Sequence, residues 1–257
     1  MKIKGYIFKA QSYSFFRSDC QKCPQVNRCI SATGLVSDNL DYVLRLKGYR
    51  KIETEAMRKG KELHREALAT YKTVDDLGIK TIRNELLSGR ELALSEVPVC
   101  SRLYGLKGVI DLLRMRLVKQ KFTVDIYDIK PALNSKYIIQ VAVYGLILSD
   151  NDFEIVYKSK KKRLGMKILP DIPLKKNINI YIVEPKKRHK IEFIKNNKFT
   201  KKGAGYKAYI CRLMKEKRKF HKFGIWLVAE LDKNVKERQL FFGIRKLLKK
   251  SKPVVKL

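Results

Sequence analysis

No run of about 18 uninterrupted apolar residues occurs anywhere in the sequence, which excludes a membrane-spanning helix. The opening Met1-Lys-Ile-Lys-Gly5 leads into no apolar signal-peptide core. A soluble, cytoplasmic protein with no membrane partner is therefore expected. Low-complexity linkers and internal repeats are absent too. Cysteine is sparse, at five residues, an odd number that does not suit a complete disulfide framework. None is needed, because 257 residues can bury a substantial core in one large domain with a small appendage. Disorder is excluded by an apolar content of 45% arranged in periodic runs.

Acidic residues are the other shortage: 25 Asp and Glu stand against 58 Lys and Arg, a formal charge of +33. The imbalance is local. Residues 158–257 hold 32 basic and 7 acidic side chains, a net +25, which leaves +8 for residues 1–157. A field of this size selects a polyanionic partner, most commonly nucleic acid, through counterion release. A Lys-rich composition that aids solubility or thermal stability accounts for some of the charge but does not require its concentration. The run Lys158-Ser-Lys-Lys-Lys-Arg163, with Lys186-Lys-Arg188, His189 and Lys190, suits a rim that follows phosphates without reading sequence.

Hydrophobic periodicity predicts the elements. Residues from about Ile52 to Tyr71 read as a helix that ends near Thr73 and contains His64. Val97 to Leu113 and Phe122 to Ile129 predict three consecutive strands of an antiparallel meander, with a turn at Lys119-Gln-Lys121. A helix follows over 135–149, then strands at Phe153–Tyr157, Ile178–Val183 and Lys190–Ile194. The first of these, lying beyond the helix, predicts a strand–helix–strand crossover and so a mixed sheet. Helices are expected again at Tyr206–Lys219 and Val235–Lys250. The class is α/β with a mixed central sheet flanked by helices. The expected organisation is an N-terminal cysteine and helical segment over 1–50, a core over 51–200 and a basic helical segment over 201–257.

The densest chemistry lies between Gly108 and Tyr144. Side chains alternate along a strand, so Asp128 and Lys130 share a face. Pairing with the strand that carries Asp111 brings two carboxylates and an ammonium together. Such hard oxygen ligands suit Mg²⁺ or Mn²⁺, and a neighbouring lysine stabilises charge on a phosphate. Gln140 and Tyr144, four residues apart, lie on one face of the next helix. His64 offers a third ligand from the upstream helix. Taken singly, His64 is an ordinary helical polar residue, Asp128 and Lys130 an ordinary strand pair and Tyr144 a core residue; it is their combination and order that points to a site.

The order Gly60-x-x-x-His64, Glu96, Gly108-x-x-Asp111, Asp128-x-Lys130, Gln140-x-x-x-Tyr144 resembles the RecB-like branch of the PD-(D/E)XK nucleases. The resemblance covers residues 60–144 and implies a restriction-endonuclease-like core. It implies metal binding by His64, Asp111 and Asp128, assistance from Lys130, and positioning by Gln140 and Tyr144. Glu96 stands where many members place an auxiliary acid.

Cys20-x-x-Cys23-x5-Cys29 places three soft ligands in one short loop, a pattern that in a reducing compartment favours metal over disulfides. A fourth ligand completes a zinc site or a 4Fe–4S cluster. Cys211 and Cys100 are the candidates, and Cys211 is favoured because it brings the C-terminal helix onto the N-terminal loop. The triplet spacing is similar to that of the iron–sulfur exonucleases of the fourth CRISPR-associated (Cas) family and of AddB-type nuclease domains. There the isolated cysteine comes first and the triplet last; here the order is reversed. This resemblance implies a 4Fe–4S cluster on Cys20, Cys23, Cys29 and Cys211, with Zn²⁺ as the alternative.

Together these readings predict a metal-dependent DNA exonuclease acting on single strands or DNA ends. The resemblance supplies the preference for DNA and a place in CRISPR adaptation and antiviral defence, beside an integrase complex. The alternatives are a non-catalytic DNA-binding adaptor and a viral or repair nuclease unrelated to CRISPR. Retention of Asp111, Asp128 and Lys130 argues against the adaptor.

Overall fold

Three consecutive strands between Leu92 and Ile129 form one side of the sheet. In the computed structural model, which describes residues 2–3, 6–8, 29–46, 49–101, 103–150, 153–158 and 163–233, β5 (Leu92–Ser101), β6 (Leu106–Val118) and β7 (Lys121–Ile129) make an antiparallel meander. They are preceded by β1 (Lys2–Ile3), β2 (Tyr6–Phe8), β3 (Ile30–Ser31) and β4 (Tyr49–Lys51). Along β7 the alternate residues Phe122, Val124, Ile126 and Asp128 are wholly buried, whereas Thr123 and Asp125 are half-buried. A period of two thus fixes one core face, and Asp128 is the polar exception on it.

That face is covered by a helix. Among the described residues the helices are α1 (Ala32–Val36), α2 (Asn39–Leu46), α3 (Glu55–Leu68), α4 (Val74–Leu77), α5 (Ile79–Leu87), α6 (Ser135–Ser149) and α7 (Lys201–Lys233). Asn134 caps α6 by accepting the Tyr137 amide at 3.0 Å. Every residue from Ile139 to Leu148 is buried, the signature of a helix enclosed on all sides. It packs on β5, β6, β7 and β10 (Lys175–Val183), and also against α1. Gly145 permits its close approach to β11 (Arg188–Lys195), since a Cβ there would stand 2.9 Å from the Phe193 ring.

β10 runs parallel to β7, with Ile126 opposite Ile180 and Ile129 opposite Val183, and β11 and β12 (Lys198–Phe199) extend the sheet antiparallel. The sheet is therefore mixed and the chain α/β. The crossover differs from expectation. β8 (Glu154–Lys158) and β9 (Arg163–Lys167) form a separate two-stranded sheet, so the strand expected at Phe153–Tyr157 does not join the central one. The parallel connection runs from β7 through α6 to β10. The reason is local: a hairpin satisfies its own hydrogen bonds without entering the ladder.

Elsewhere α3 begins at Glu55 because the Thr54 side chain accepts the Met57 amide at 3.3 Å. It ends at Leu68, short of Thr73. The tail forms one continuous helix from Lys201 where a shorter one was expected, and Val235–Lys250 lies outside the described residues. Two compact units result. The smaller comprises Met1–Tyr13, Ser37–Ile52 and Leu213–Leu257; the larger comprises Ser14–Val36 and Glu53–Arg212 and holds the seven-stranded sheet and α6.

Candidate active site

The site grows from a fork in β6. One edge of that strand is occupied by β5 from Leu106 to Met115. On the other edge Leu112–Val118 pairs with β7 and Leu106–Lys107 pairs with β3, so no described strand covers Gly108–Asp111 there. The Tyr144 ring fills this opening: a Cβ on Gly108 would lie 2.5 Å from its Cε1. Asp111 stands at the apex of the fork and accepts the Ile129 amide on Oδ2 at 2.8 Å. The spacing Gly108-x-x-Asp111 thus has a physical cause, one residue making room for an aromatic ring and the other ending the opening.

Asp111 meets α3 on its second oxygen. His64 Nε2 lies 3.0 Å from Oδ1. That hydrogen bond is the main reason the imidazole is held above its ordinary pKa; burial opposes it, and the charges of Asp111 and Glu96 reinforce it. Burial alone would raise the Asp111 carboxyl. The His64 hydrogen bond, the Lys130 charge and the Ile129 amide outweigh burial and hold it below the usual carboxylate range.

Asp128 behaves in the opposite way. It is wholly buried, and desolvation, then the charge of Asp111, push its carboxyl up to about 7. Lys130 offsets this in part, with Nζ 3.0 Å from Oδ2. The contact is electrostatic: neither carboxylate oxygen of Asp128 has a hydrogen-bond partner of good geometry. The two aspartates share one site and cannot both ionise freely, so they titrate as a pair.

Lys130 is itself held from several sides. Its amide donates to Val183 O at 2.9 Å, and its ammonium lies 5.1 Å from the centre of the Tyr137 ring. Gln140 Nε2 donates to the Tyr144 hydroxyl at 3.2 Å, both side chains being buried. Burial and the nearby Asp128 charge raise the Tyr144 phenol, which keeps its proton.

A cleft of about 800 Å³ opens beside these groups, walled by His64, Arg65, Glu96, Ile129, Lys130 and Tyr137 among others. Glu96 is exposed and has φ of 50°, a left-handed conformation that few non-glycine residues adopt. Asp111 and Asp128 are not on the cleft wall; they reach it through His64 and Lys130. Of the residues expected from the sequence, His64, Asp111, Asp128, Lys130, Gln140 and Tyr144 are joined by these contacts, and Glu96 faces His64 across the cleft. Tyr137 and Arg65 were not anticipated, although Tyr137 lies three residues before Gln140, a spacing that shares a helix face.

The donor set fits a hard divalent cation. Asp128 supplies two buried oxygens, one of them paired with the Lys130 ammonium at 3.0 Å, and His64 and Asp111 add nitrogen and oxygen donors. Among the described residues no group of three or more His, Cys, Asp or Glu side chains is already drawn round a common centre, because His64 and Asp111 are engaged with each other. Cys20 and Cys23 lie outside the described residues. Cys29, just before β3, and Cys211, on α7, are half-buried and belong to the same compact unit, as does half-buried Cys100 on β5.

No family model matches the chain, and no curated protein matches it. Among solved structures, the chain is similar at 13% identity to a crystal structure of a protein designated SSO0001, over 79% of this chain and 77% of that one, with a TM-score of 0.35.

Proposed function

We propose that the chain is a metal-dependent deoxyribonuclease of the RecB-like PD-(D/E)XK kind, with a restriction-endonuclease-like core, that hydrolyses phosphodiester bonds in single-stranded DNA or at DNA ends. One observation carries this reading: a wholly buried carboxylate, Asp128, has no hydrogen-bond partner of good geometry and stands 3.0 Å from Lys130, beside a second carboxylate at a strand fork. A protein that needed only stability would place an apolar residue there.

In this reading His64, Asp111 and Asp128 hold Mg²⁺ or Mn²⁺. The ion supplies Lewis acidity toward a phosphate and a lower pKa for water. The chain's own residues do the rest. Lys130, charged and fixed over Tyr137, faces the cleft where a phosphate would enter and stabilises negative charge as it develops there. Gln140 and Tyr144 lock the fork, keeping Asp111 and Asp128 in register. Glu96, exposed on the wall, offers an acceptor for a proton released in the cleft. A 4Fe–4S cluster on Cys20, Cys23, Cys29 and Cys211 has a structural role in this reading. The similarity of the triplet to the fourth Cas family makes CRISPR adaptation, with an integrase partner, the setting proposed.

The test uses anaerobically purified protein with end-labelled single- and double-stranded DNA in Mg²⁺, Mn²⁺ or EDTA. Metal-dependent cleavage should fall about 100- to 1,000-fold in Asp111→Ala and Lys130→Ala. Binding of DNA with no cleavage in any metal would replace the nuclease by an adaptor.

A further inference from the structure

The outer face of the sheet, opposite α6, carries an unusual stack. Tyr127 on β7 and Tyr181 on β10 lie ring to ring, with centroids 4.6 Å apart and planes 10° from parallel. The Arg188 guanidinium lies 4.1 Å from the Tyr181 centroid and 4.9 Å from that of Tyr127, and donates to the Tyr127 hydroxyl at 3.0 Å. Arg114 approaches Tyr127 at 5.6 Å. The two arginines differ in one respect. Arg114 has a carboxylate partner, Glu91 at 3.4 Å, whereas Arg188 has none among the described residues. Two nearby acids are engaged elsewhere, Glu192 with Lys190 at 3.7 Å and Asp125 with Asn179 at 2.7 Å, and Glu184 lies 3.6 Å from His189 Nε2. Arg188 is exposed.

Its position is defined by register. Ile129 pairs with Val183, and Val183 with Arg188, while Lys130 donates its amide to the same Val183. Arg188 therefore sits two strands from the end of β7, about 10 Å at the usual strand spacing. Leu68 and Ile129 line the cleft and also pack with Tyr127 and Tyr181 in one buried apolar cluster, so the stack adjoins the cleft. Consecutive phosphates along a strand stand farther apart than the duplex axial rise of about 3.4 Å per nucleotide, so the interval spans about one or two nucleotides.

We propose that Arg188, packed on Tyr181 and Tyr127, binds a backbone phosphate of the DNA strand about one or two nucleotides from the phosphate in the cleft. The inference rests on the reading that the cleft receives a phosphodiester. A guanidinium stacked on aromatic rings is preorganised, so it loses little freedom on binding and presents its remaining N–H donors in a fixed fork. Lysine has neither the plane nor the fork.

Binding of fluorescein-labelled dT12 in EDTA, followed by anisotropy across salt concentrations, tests this. Arg188→Ala should weaken binding about 5- to 10-fold and reduce the salt slope by about 0.7. Arg188→Lys should keep the slope yet weaken binding, because the charge remains and the stack does not. Cleavage of a labelled dinucleotide, too short to reach Arg188, should be the same in wild type and Arg188→Ala. Unchanged dT12 affinity and slope in Arg188→Ala, in a protein that cuts DNA, overturns the phosphate site and leaves the nuclease standing. Arg188-dependent binding in a protein that cuts nothing in any metal supports the phosphate site and removes the nuclease. If wild type binds no strand, the phosphate site falls.

Discussion

His64 Nε2 meets Asp111 Oδ1 at 3.0 Å behind the cleft wall, which ties α3 to the fork in β6 through one hydrogen bond. Because this bond raises the imidazole pKa, protonated His64 contributes stability that is fully present below its unfolded value of about 6.5 and is lost as pH rises through the higher folded value. His64→Ala should therefore lower the thermal midpoint more at pH 5.5 than at pH 8.5. A penalty that grows with pH would mean that His64 is held neutral. The comparison is made in EDTA, so that metal binding does not contribute.

Asp128 gives the reverse dependence. Its carboxyl is raised above the usual value, so the folded state is progressively penalised as pH climbs from about 4 to about 7 and bears the full cost above that. Asp128→Asn should be more stable than wild type at pH 8 in EDTA, by on the order of a few kcal/mol, and nearly equal to it at pH 4. Mn²⁺ should raise the midpoint of wild type but not of the variant, by ordinary linkage. Equal stability at pH 8, measured by urea titration, would show that the site ionises without cost.

Gly108 is required by a ring rather than by its own backbone angles. Gly108→Ala places a methyl group 2.5 Å from Tyr144 Cε1, and the buried ring has little room to withdraw. A loss of about 1–3 kcal/mol is expected, together with a large fall in cleavage. In Gly108→Ala/Tyr144→Ala the two penalties should be strongly non-additive, because removing the ring removes the clash. Additive denaturation energies would place the effect elsewhere.

The cysteine reading is tested by composition. Anaerobically prepared protein should contain iron and acid-labile sulfide in equal amounts, and Cys29→Ser and Cys211→Ser should each lower both, while Cys100→Ser leaves them unchanged. Zinc without iron would move the assignment to a tetrahedral zinc site, and dependence on Cys100 would exchange the fourth ligand.

Local signals made much of this legible. The helix over 135–149 follows from its apolar residues and the Asp150-Asn151 stop, and the meander before it from its apolar runs and the turn at Lys119-Gln-Lys121. The motif residues could be named because each carries chemistry at a spacing that a strand or helix converts into a shared face. Long-range pairing was hidden. Nothing in Ile30-Ser31 announces that two residues will dock beside Leu106-Lys107 and so create the fork. Nor does the hairpin after α6 reveal that β7 will bypass it and take β10 as its neighbour. Tyr127, Tyr181 and Arg188 look like ordinary strand residues until the register stacks them.

The enclosure of α6 has a consequence for how such a protein fails. Gln140 and Tyr144 occupy a segment with ten consecutive buried residues, so the candidate site and the folding core are one body of atoms. Amides from Gln140 to Leu148 should exchange with solvent only through global opening, and partial melting at the periphery should leave the centre assembled. Damage would then take the whole core apart at once rather than leave a loosened cluster of these side chains behind.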